Sequence, residues 1–145
     1  MKNKLMSLLL LLASTYTFAQ VELTWKDLAD ITYTEKYYPD YGSNFLYPDF
    51  SKSIEELQGK EVSIVGYFLD IDPSGNLFIL SKNPMASCFF CGASGPETAM
   101  EIQFKNKPNF KTDDIVVITG KLKLNKDDVE HFNYILTEST GLKMK

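Results

Sequence analysis

Arginine is missing from this sequence. All 15 basic residues are lysines, and they face 19 aspartates and glutamates, which leaves a formal net charge of −4. Arginine is the side chain that holds phosphates and guanine edges with a planar pair of donors. An acidic chain without arginine lacks the positive surface on which nucleic acids bind. We therefore expect no nucleic-acid partner.

Histidine is almost as scarce, because His131 is the single example in the chain. A catalytic triad needs a histidine beside a nucleophile, and the sequence has neither a Gly-x-Ser-x-Gly motif nor a glycine-rich phosphate loop. The carboxylate pairs Asp113-Asp114 and Asp127-Asp128 fall in predicted turns beside lysines, where solvation explains them. No catalytic residue is predicted, and these absences favour a protein that is not an enzyme.

Long apolar runs are also rare, and the clearest one lies near the start of the sequence, from Leu5 to Ala13. Lysines precede it and small residues follow it up to Ala19, which is the pattern of an export signal. The run is too short to span a membrane, and the alternative interpretation is a buried N-terminal helix. We expect residues 1–19 to be a signal peptide cleaved before Gln20. Residues 20–145 should then form a single periplasmic or secreted domain.

The first third of the expected domain, residues 20–58, is predicted to cover a barrel with short helices and a loop. Thr24 and Asp27 form a capping-box pattern at the start of a short helix that reaches Ile31. Tyr33–Phe50 is rich in tyrosine and contains prolines that bar a long helix, so it is interpreted as an extended stretch and a loop. A capped helical turn over Ser51–Gly59 ends at glycine.

From residue 59 onward the signals are those of β-strands. Two of the strands contain central glycines, Gly66 and Gly120, which are expected at bends, and Trp25 is expected to pack its helix onto the core. The fold class predicted is mainly β: a five-stranded barrel resembling the oligonucleotide/oligosaccharide-binding (OB) fold, with an open sandwich as the alternative. The five predicted strands cover residues 61–72, 77–81, 98–104, 115–124 and 131–137.

Both cysteines lie in one loop, as Cys88-Phe89-Phe90-Cys91. The Cys-x-x-Cys spacing permits three interpretations: a structural disulfide, a metal site, or a redox-active dithiol. A metal site would use soft ligands suited to zinc or copper, with Met85 or Met100 as additional ligands. The flanking β signals do not support a thioredoxin-like site.

The other titratable residues add little to this cysteine pair. His131 opens the predicted fifth strand and is expected at the opposite end of the barrel from Cys88, as an ordinary rim residue. Glu97 and Glu101 are closer in sequence but are interpreted as solvated charges.

The loop from Met85 to Met100 is the predicted working surface, because loops held by a rigid scaffold often carry function. Phe89 and Phe90 cannot both point inward from an extended backbone, so one of them could contact a partner. The ligands left open are a soft metal ion, zinc or copper, and a partner protein of the cell envelope. A redox role and a purely structural disulfide remain the alternatives.

Several short motifs resemble an uncharacterised family of exported bacterial domains of unknown function. The matching stretches are Leu23-Thr24-Trp25-Lys26-Asp27-Leu28, Leu57-Gln58-Gly59-Lys60-Glu61-Val62, Gly66-Tyr67, Phe78-Ile79-Leu80, Ala86-Ser87-Cys88 and Val117-Ile118-Thr119-Gly120-Lys121-Leu122. The resemblance implies an OB-type barrel, and some members are linked to metal-uptake transporters. Many members have a histidine and a proline run after the first cysteine, where this chain has Phe89-Phe90-Cys91-Gly92, which weakens the transfer of a metal site.

Overall fold

A computed structural model describes residues 20–72, 74, 77–89, 92 and 94–145. The predicted signal peptide, Phe90 and Cys91 lie outside the described residues. The helices and strands in chain order are β1 (Val21–Glu22), α1 (Trp25–Leu28), β2 (Ile31–Tyr38), β3 (Ser43–Phe50), α2 (Lys52–Glu55), β4 (Glu61–Asp70), β5 (Phe78–Ser81), β6 (Ala99–Phe104), β7 (Ile115–Leu124) and β8 (Tyr134–Lys143). Single 3₁₀ turns at Met85–Ser87 and Pro96–Thr98 interrupt the connection from β5 to β6.

Five strands form a closed barrel in the order β4-β5-β6-β8-β7, and β7 returns to pair with β4. All neighbours are antiparallel except β6 and β8, which run parallel. The predicted five-stranded, mainly β barrel is confirmed at this level. β1 adds a sixth strand, parallel to the start of β4, which sequence analysis did not predict.

The N-terminal segment is held to the barrel by one partly buried indole and one capped turn. The Thr24 side chain and the Asp27 carboxylate form the predicted capping box. Trp25 packs against the barrel core as predicted, and its Nε1 donates to the Val65 carbonyl at 2.8 Å. The helix is a single turn that ends at Leu28, earlier than predicted, because the chain enters β2 at Ile31.

The stretch interpreted as extended chain and loop is an antiparallel hairpin of β2 and β3, and that prediction was wrong. The register runs from Ile31 opposite Phe50 to Tyr38 opposite Ser43, with Gly42 at φ +60° in the turn. The prolines that exclude a long helix do not exclude a strand here, because Pro48 lies in a sheet of only two strands. Each strand of such a sheet has an open edge, where a missing N–H costs no ladder hydrogen bond.

The last strand starts and ends later than predicted, at Tyr134 and Lys143. It is also interrupted, because Thr119 pairs with Thr140 while Lys121 pairs with Thr137. Two residues of β8, Glu138 and Ser139, lie opposite the single residue Gly120, and this one extra residue makes a β-bulge in which Glu138 has φ +51°. Gly120 lies opposite the bulge, so its predicted place at an irregularity is confirmed.

Strand alternation divides the apolar residues between two layers. Phe68, Leu80 and Met100 are paired across β4, β5 and β6, and they face the barrel interior. Their chain neighbours point outward and form a second cluster with Cys88, consisting of Leu69, Ile79, Ala99 and the cysteine. The connection between β5 and β6 therefore covers the outside of the barrel with an apolar layer of its own.

No helix within residues 20–145, as far as the structure describes them, is long and apolar enough to cross a membrane.

Gly66 leaves no room for a side chain, which gives a test of the barrel. A Cβ at this position would lie 2.7 Å from the Ser81 carbonyl oxygen and 2.9 Å from Leu80 Cγ. We expect Gly66→Ala to lower the free energy of unfolding by about 1–3 kcal/mol, because backbone atoms cannot yield as a side chain can. Urea unfolding should show a lower midpoint with an unchanged slope.

The matched control is Gly95→Ala, since the new Cβ would meet the flexible end of the Glu97 side chain. This variant should unfold near the wild-type midpoint. Equal midpoints for Gly66→Ala and the wild type would show that β4 and β5 do not approach so closely.

Candidate functional site

Cys88 is a buried free thiol, 1% exposed. It follows the 3₁₀ turn Met85–Ser87 and packs with Leu69, Ile79 and Ala99 in the outer apolar cluster. Cys91 lies outside the described residues, so the structure gives the environment of only one of the two predicted cysteines.

The two methionines proposed as additional ligands lie on different sides of the sheet. Met85 packs against the cluster that contains Cys88, and its backbone N–H donates to Asp113 Oδ1 at 2.7 Å. Met100 is fully buried in the barrel interior, whereas its neighbour Ala99 faces Cys88. Strand β6 therefore separates Met100 from the thiol. No group of three or more His, Cys, Asp or Glu side chains among the described residues is arranged to hold a metal ion.

Phe89 is half-buried and contributes to two features. It packs on the outer cluster beside Cys88, and it lines a groove of about 380 Å³. Three segments meet there: Phe45 and Leu46 of β3, the cysteine-containing loop, and the connection between β7 and β8. The loop was predicted from the sequence as a working surface, but the hairpin that forms the opposite wall was not.

His131 lies in this groove, so the expectation that it would be remote from the cysteine-containing loop was wrong. Parallel pairing of β6 and β8 brings the starts of both strands to the same end of the barrel. The loop before β6 and the connection before β8 therefore meet. His131 and Phe89 line one groove together with Phe132, which, like Phe89, also packs against the outer cluster.

Glu101 orients the His131 ring through a contact with Nδ1. Its side chain is only 6% exposed, although sequence analysis treated it as a solvated charge. Glu101 Oε2 lies 2.7 Å from His131 Nδ1, and Glu101 Oε1 accepts from the Gln103 side chain at 2.9 Å. The outward face of β6 is buried here because the connections before β6 and β8 lie over it. An outward-facing glutamate at the start of a strand would be suspected only if that cover were known.

This contact raises the pKa of His131 above its ordinary value near 6.5. The hydrogen bond and the charge of Glu101 favour the imidazolium, and together they outweigh the partial burial that opposes it. In the part of the chain that the structure describes, no group pairs with the other ring nitrogen, Nε2. The ring is therefore oriented from one side, while its second nitrogen remains available to a ligand.

A carboxylate–imidazole pair also occurs in hydrolytic triads, which need a nucleophile beside the imidazole. The described residues that line the groove include no serine, threonine or cysteine. The arrangement can donate or accept a hydrogen bond at His131, and its apolar walls can bury a ligand.

Polar contacts tether the hairpin to the connection between β7 and β8. Lys36 pairs with Asp127 at 3.0 Å, and the Tyr41 hydroxyl donates to Glu130 at 3.1 Å. Lys126 extends the contacts to Glu55 of α2 at 3.0 Å. The width of the groove thus depends on charged and polar contacts at its rim as well as on core packing.

Comparison with solved structures finds a similar fold in the crystal structure of a DUF3299 family protein from Pseudomonas aeruginosa PAO1. The TM-score is 0.54, with 16% sequence identity over 88% of this chain and 97% of that chain. No family model matches the sequence, and no curated protein does. The neighbour belongs to a domain family of unknown function, and at this identity the likeness shows a shared fold.

The His131–Glu101 contact predicts a pH dependence that one histidine can report. We expect the imidazole protons of His131 to titrate in NMR with a pKa above 6.5, and Glu101→Gln to lower that pKa, because the neutral amide stabilises the imidazolium less. Stabilisation by the protonated pair should be fully present below the unfolded pKa near 6.5 and lost as the pH rises through the higher folded value.

Glu97→Gln is the matched control, since Glu97 does not contribute to the shift at His131. It should leave the titration unchanged. A wild-type pKa at or below 6.5 would contradict the contact.

Proposed function

We propose that this chain is an exported, non-catalytic binding protein whose ligand occupies the groove at the cysteine-containing end of the barrel. In this proposal residues 1–19 are a cleaved signal peptide. Residues 20–145 are a single OB-like domain in the periplasm or outside the cell. The observation that carries the binding role is the groove itself, where three separate segments bring apolar walls and an oriented histidine together.

The strand arrangement supports the OB-like part of the proposal. An OB-fold is a five-stranded Greek-key barrel whose loops and outer face bind ligands. Here β6 and β8 run parallel while the other barrel neighbours run antiparallel, and their preceding connections lie together. A loop cluster of this kind can change its ligand without changing the barrel beneath it.

The composition of the groove supports binding rather than catalysis. Ligand sites are concave, mostly apolar and supplied with a few fixed polar groups, and their volumes start near 300 Å³. The groove has that size, with aromatic walls at Phe45, Phe89 and Phe132. Its best-oriented polar group is His131, held by a buried carboxylate. Holding the ring in advance lowers the entropy cost of binding through it.

The environment of Cys88 weighs against a thiol–disulfide redox role. Catalytic cysteines are partly exposed and lie in electropositive surroundings, commonly at a helix N-terminus. Cys88 is buried among Leu69, Ile79 and Ala99, directly after the 3₁₀ turn Met85–Ser87. Its surroundings suit a packed residue of a loop that supports Phe89.

Metal handling is the second candidate, and one observation favours it: Met85 and Cys88 share the outer cluster. A thiolate and a thioether are soft ligands that suit copper(I). Cys91, three residues after Cys88 in the sequence, is the other sulfur ligand that this candidate requires.

The groove proposal is tested by fragment screening against isotope-labelled protein comprising residues 20–145. We expect bound fragments to shift the backbone NMR signals of Leu46, Phe89 and His131, because these residues line the concave surface. Leu46→Asp should abolish the shifts, since it places a charge on an apolar wall.

Leu142→Asp is the matched control for Leu46→Asp. Both leucines are exposed, by 54% and 75%, so neither substitution should unfold the protein, but Leu142 lies on the barrel wall outside the groove. Fragments that bind elsewhere, or that ignore the Leu46 variant, would rule out the groove as the binding surface.

The metal candidate is tested by free-thiol counting beside elemental analysis of the purified protein after loading with copper(I) or zinc. Bound metal with protected thiols, both lost in Cys88→Ser, would support it. The control is Ser87→Ala, which changes the neighbouring side chain and keeps both sulfurs. A protein that retains no metal after loading, with Cys88→Ser indistinguishable from the wild type, would remove the candidate.

A further inference from the structure

We propose that the ligand of this groove is an extended peptide segment of a partner protein, with an aromatic or aliphatic side chain next to a lysine or arginine. The inference rests on the proposed binding function and names its ligand class. It follows from the charges at the rim, the apolar walls and an open strand edge.

The rim of the groove carries acidic charge that the described residues do not neutralise. Its two cationic side chains are already paired, Lys126 with Glu55 at 3.0 Å and His131 with Glu101 at 2.7 Å. Its two carboxylates, Asp128 and Glu130, form no ion pair within the described part of the chain. Asp128 accepts from a backbone N–H and Glu130 accepts from the Tyr41 hydroxyl.

A cation is the ligand group that complements this rim. Each carboxylate is exposed and retains free acceptor capacity, so a lysine or arginine can approach either without displacing an internal ion pair. An acidic ligand would meet these two unpaired carboxylates, whereas the cations at the rim, Lys126 and His131, are already paired with Glu55 and Glu101. The net charge of −4 for the whole chain also favours a basic partner during association.

The walls beside these carboxylates are apolar, so the ligand should place an apolar side chain against them. Phe89 and Phe132 form one wall and Leu46 the other. A side chain between them removes apolar surface from water, and a neighbouring cation can lie over an aromatic face. The acidic rim and the apolar walls belong to the same groove, so a ligand that contacts both needs an apolar group next to a cationic group.

Strand β3 explains why the ligand should be a peptide rather than a small cation. Leu46 belongs to β3, which pairs with β2 on one side and with no other described strand. An extended peptide can add to such an edge through main-chain hydrogen bonds while its side chains enter the adjacent groove. His131 Nε2, across the groove, can donate to a carbonyl of the same peptide.

The probe for this inference is a displayed library of random heptapeptides, selected against the protein comprising residues 20–145. We expect enriched sequences in which Lys or Arg neighbours Phe, Tyr, Trp, Leu or Met. A synthetic copy of the most enriched peptide is then titrated by fluorescence anisotropy against the wild type and three variants.

The double variant Asp128→Asn/Glu130→Gln should weaken binding about tenfold, because it removes the rim charge and keeps the side-chain shape. Raising the salt concentration should weaken wild-type binding more than binding to this variant. Leu46→Asp should abolish binding by disrupting the wall. The control double variant Glu22→Gln/Glu61→Gln has the same net charge change on exposed residues outside the groove, and it should bind as the wild type does.

The outcomes separate this inference from the function on which it rests. Enriched peptides that are acidic or uncharged, or equal affinity for the rim variant and the wild type, would overturn the peptide chemistry. Fragments that still map to the groove when the library yields no binder would leave a binding protein for small molecules. Fragments that avoid the groove would remove the proposed function itself.

Discussion

The parallel pairing of β6 with β8 is the constraint on which the arrangement of this molecule depends. It completes the barrel, since β8 then lies between β6 and β7, and β7 can reach β4. Because parallel strands start at the same end, the long connection before β6 and the shorter one before β8 must share that end. The groove, the His131–Glu101 contact and the cover over the outer cluster all follow from this one pairing.

A second consequence comes from strand alternation beneath those connections. Successive residues of β4, β5 and β6 face the interior and the exterior in turn, and the exterior residues here are apolar enough to need cover. The cysteine-containing loop supplies it, with Cys88 as the most buried point. The same loop then presents Phe89 to the groove. One segment thus seals an outer apolar layer and forms one wall of a binding surface.

Much of this fold could be predicted from the sequence, and the failures have physical reasons. β-Branched and aromatic content predicted a strand at residues 61–72 and period-two alternation predicted one at 98–104, near the observed β4 and β6, and glycine at position 120 marked a real bulge. The hairpin was missed because the prolines excluded a long helix without indicating a strand, and Pro48 is acceptable in β3 because each strand of a two-stranded sheet has an open edge.

The candidate site was only partly predictable, because it depends on which loops meet. Phe89 and the loop around it were found from local composition. His131 and Glu101 are 30 residues apart, and their contact requires knowledge of strand order and direction. Met85 and Met100 looked equivalent in sequence, yet strand β6 separates them.

The closure of the barrel by β4 and β7 also bears on how the chain folds. Glu61 lies opposite Lys121 and Tyr67 opposite Ile115. The pairing of β4 with β7 therefore closes a loop that contains β5 and β6. In non-local pairings of this kind the chain loses much conformational entropy before the stabilising contacts form. Such pairings therefore slow folding. The β2–β3 hairpin has partners close in sequence and can form early. The groove needs that hairpin together with the non-local parallel pairing of β6 and β8, so we expect it to assemble late in folding.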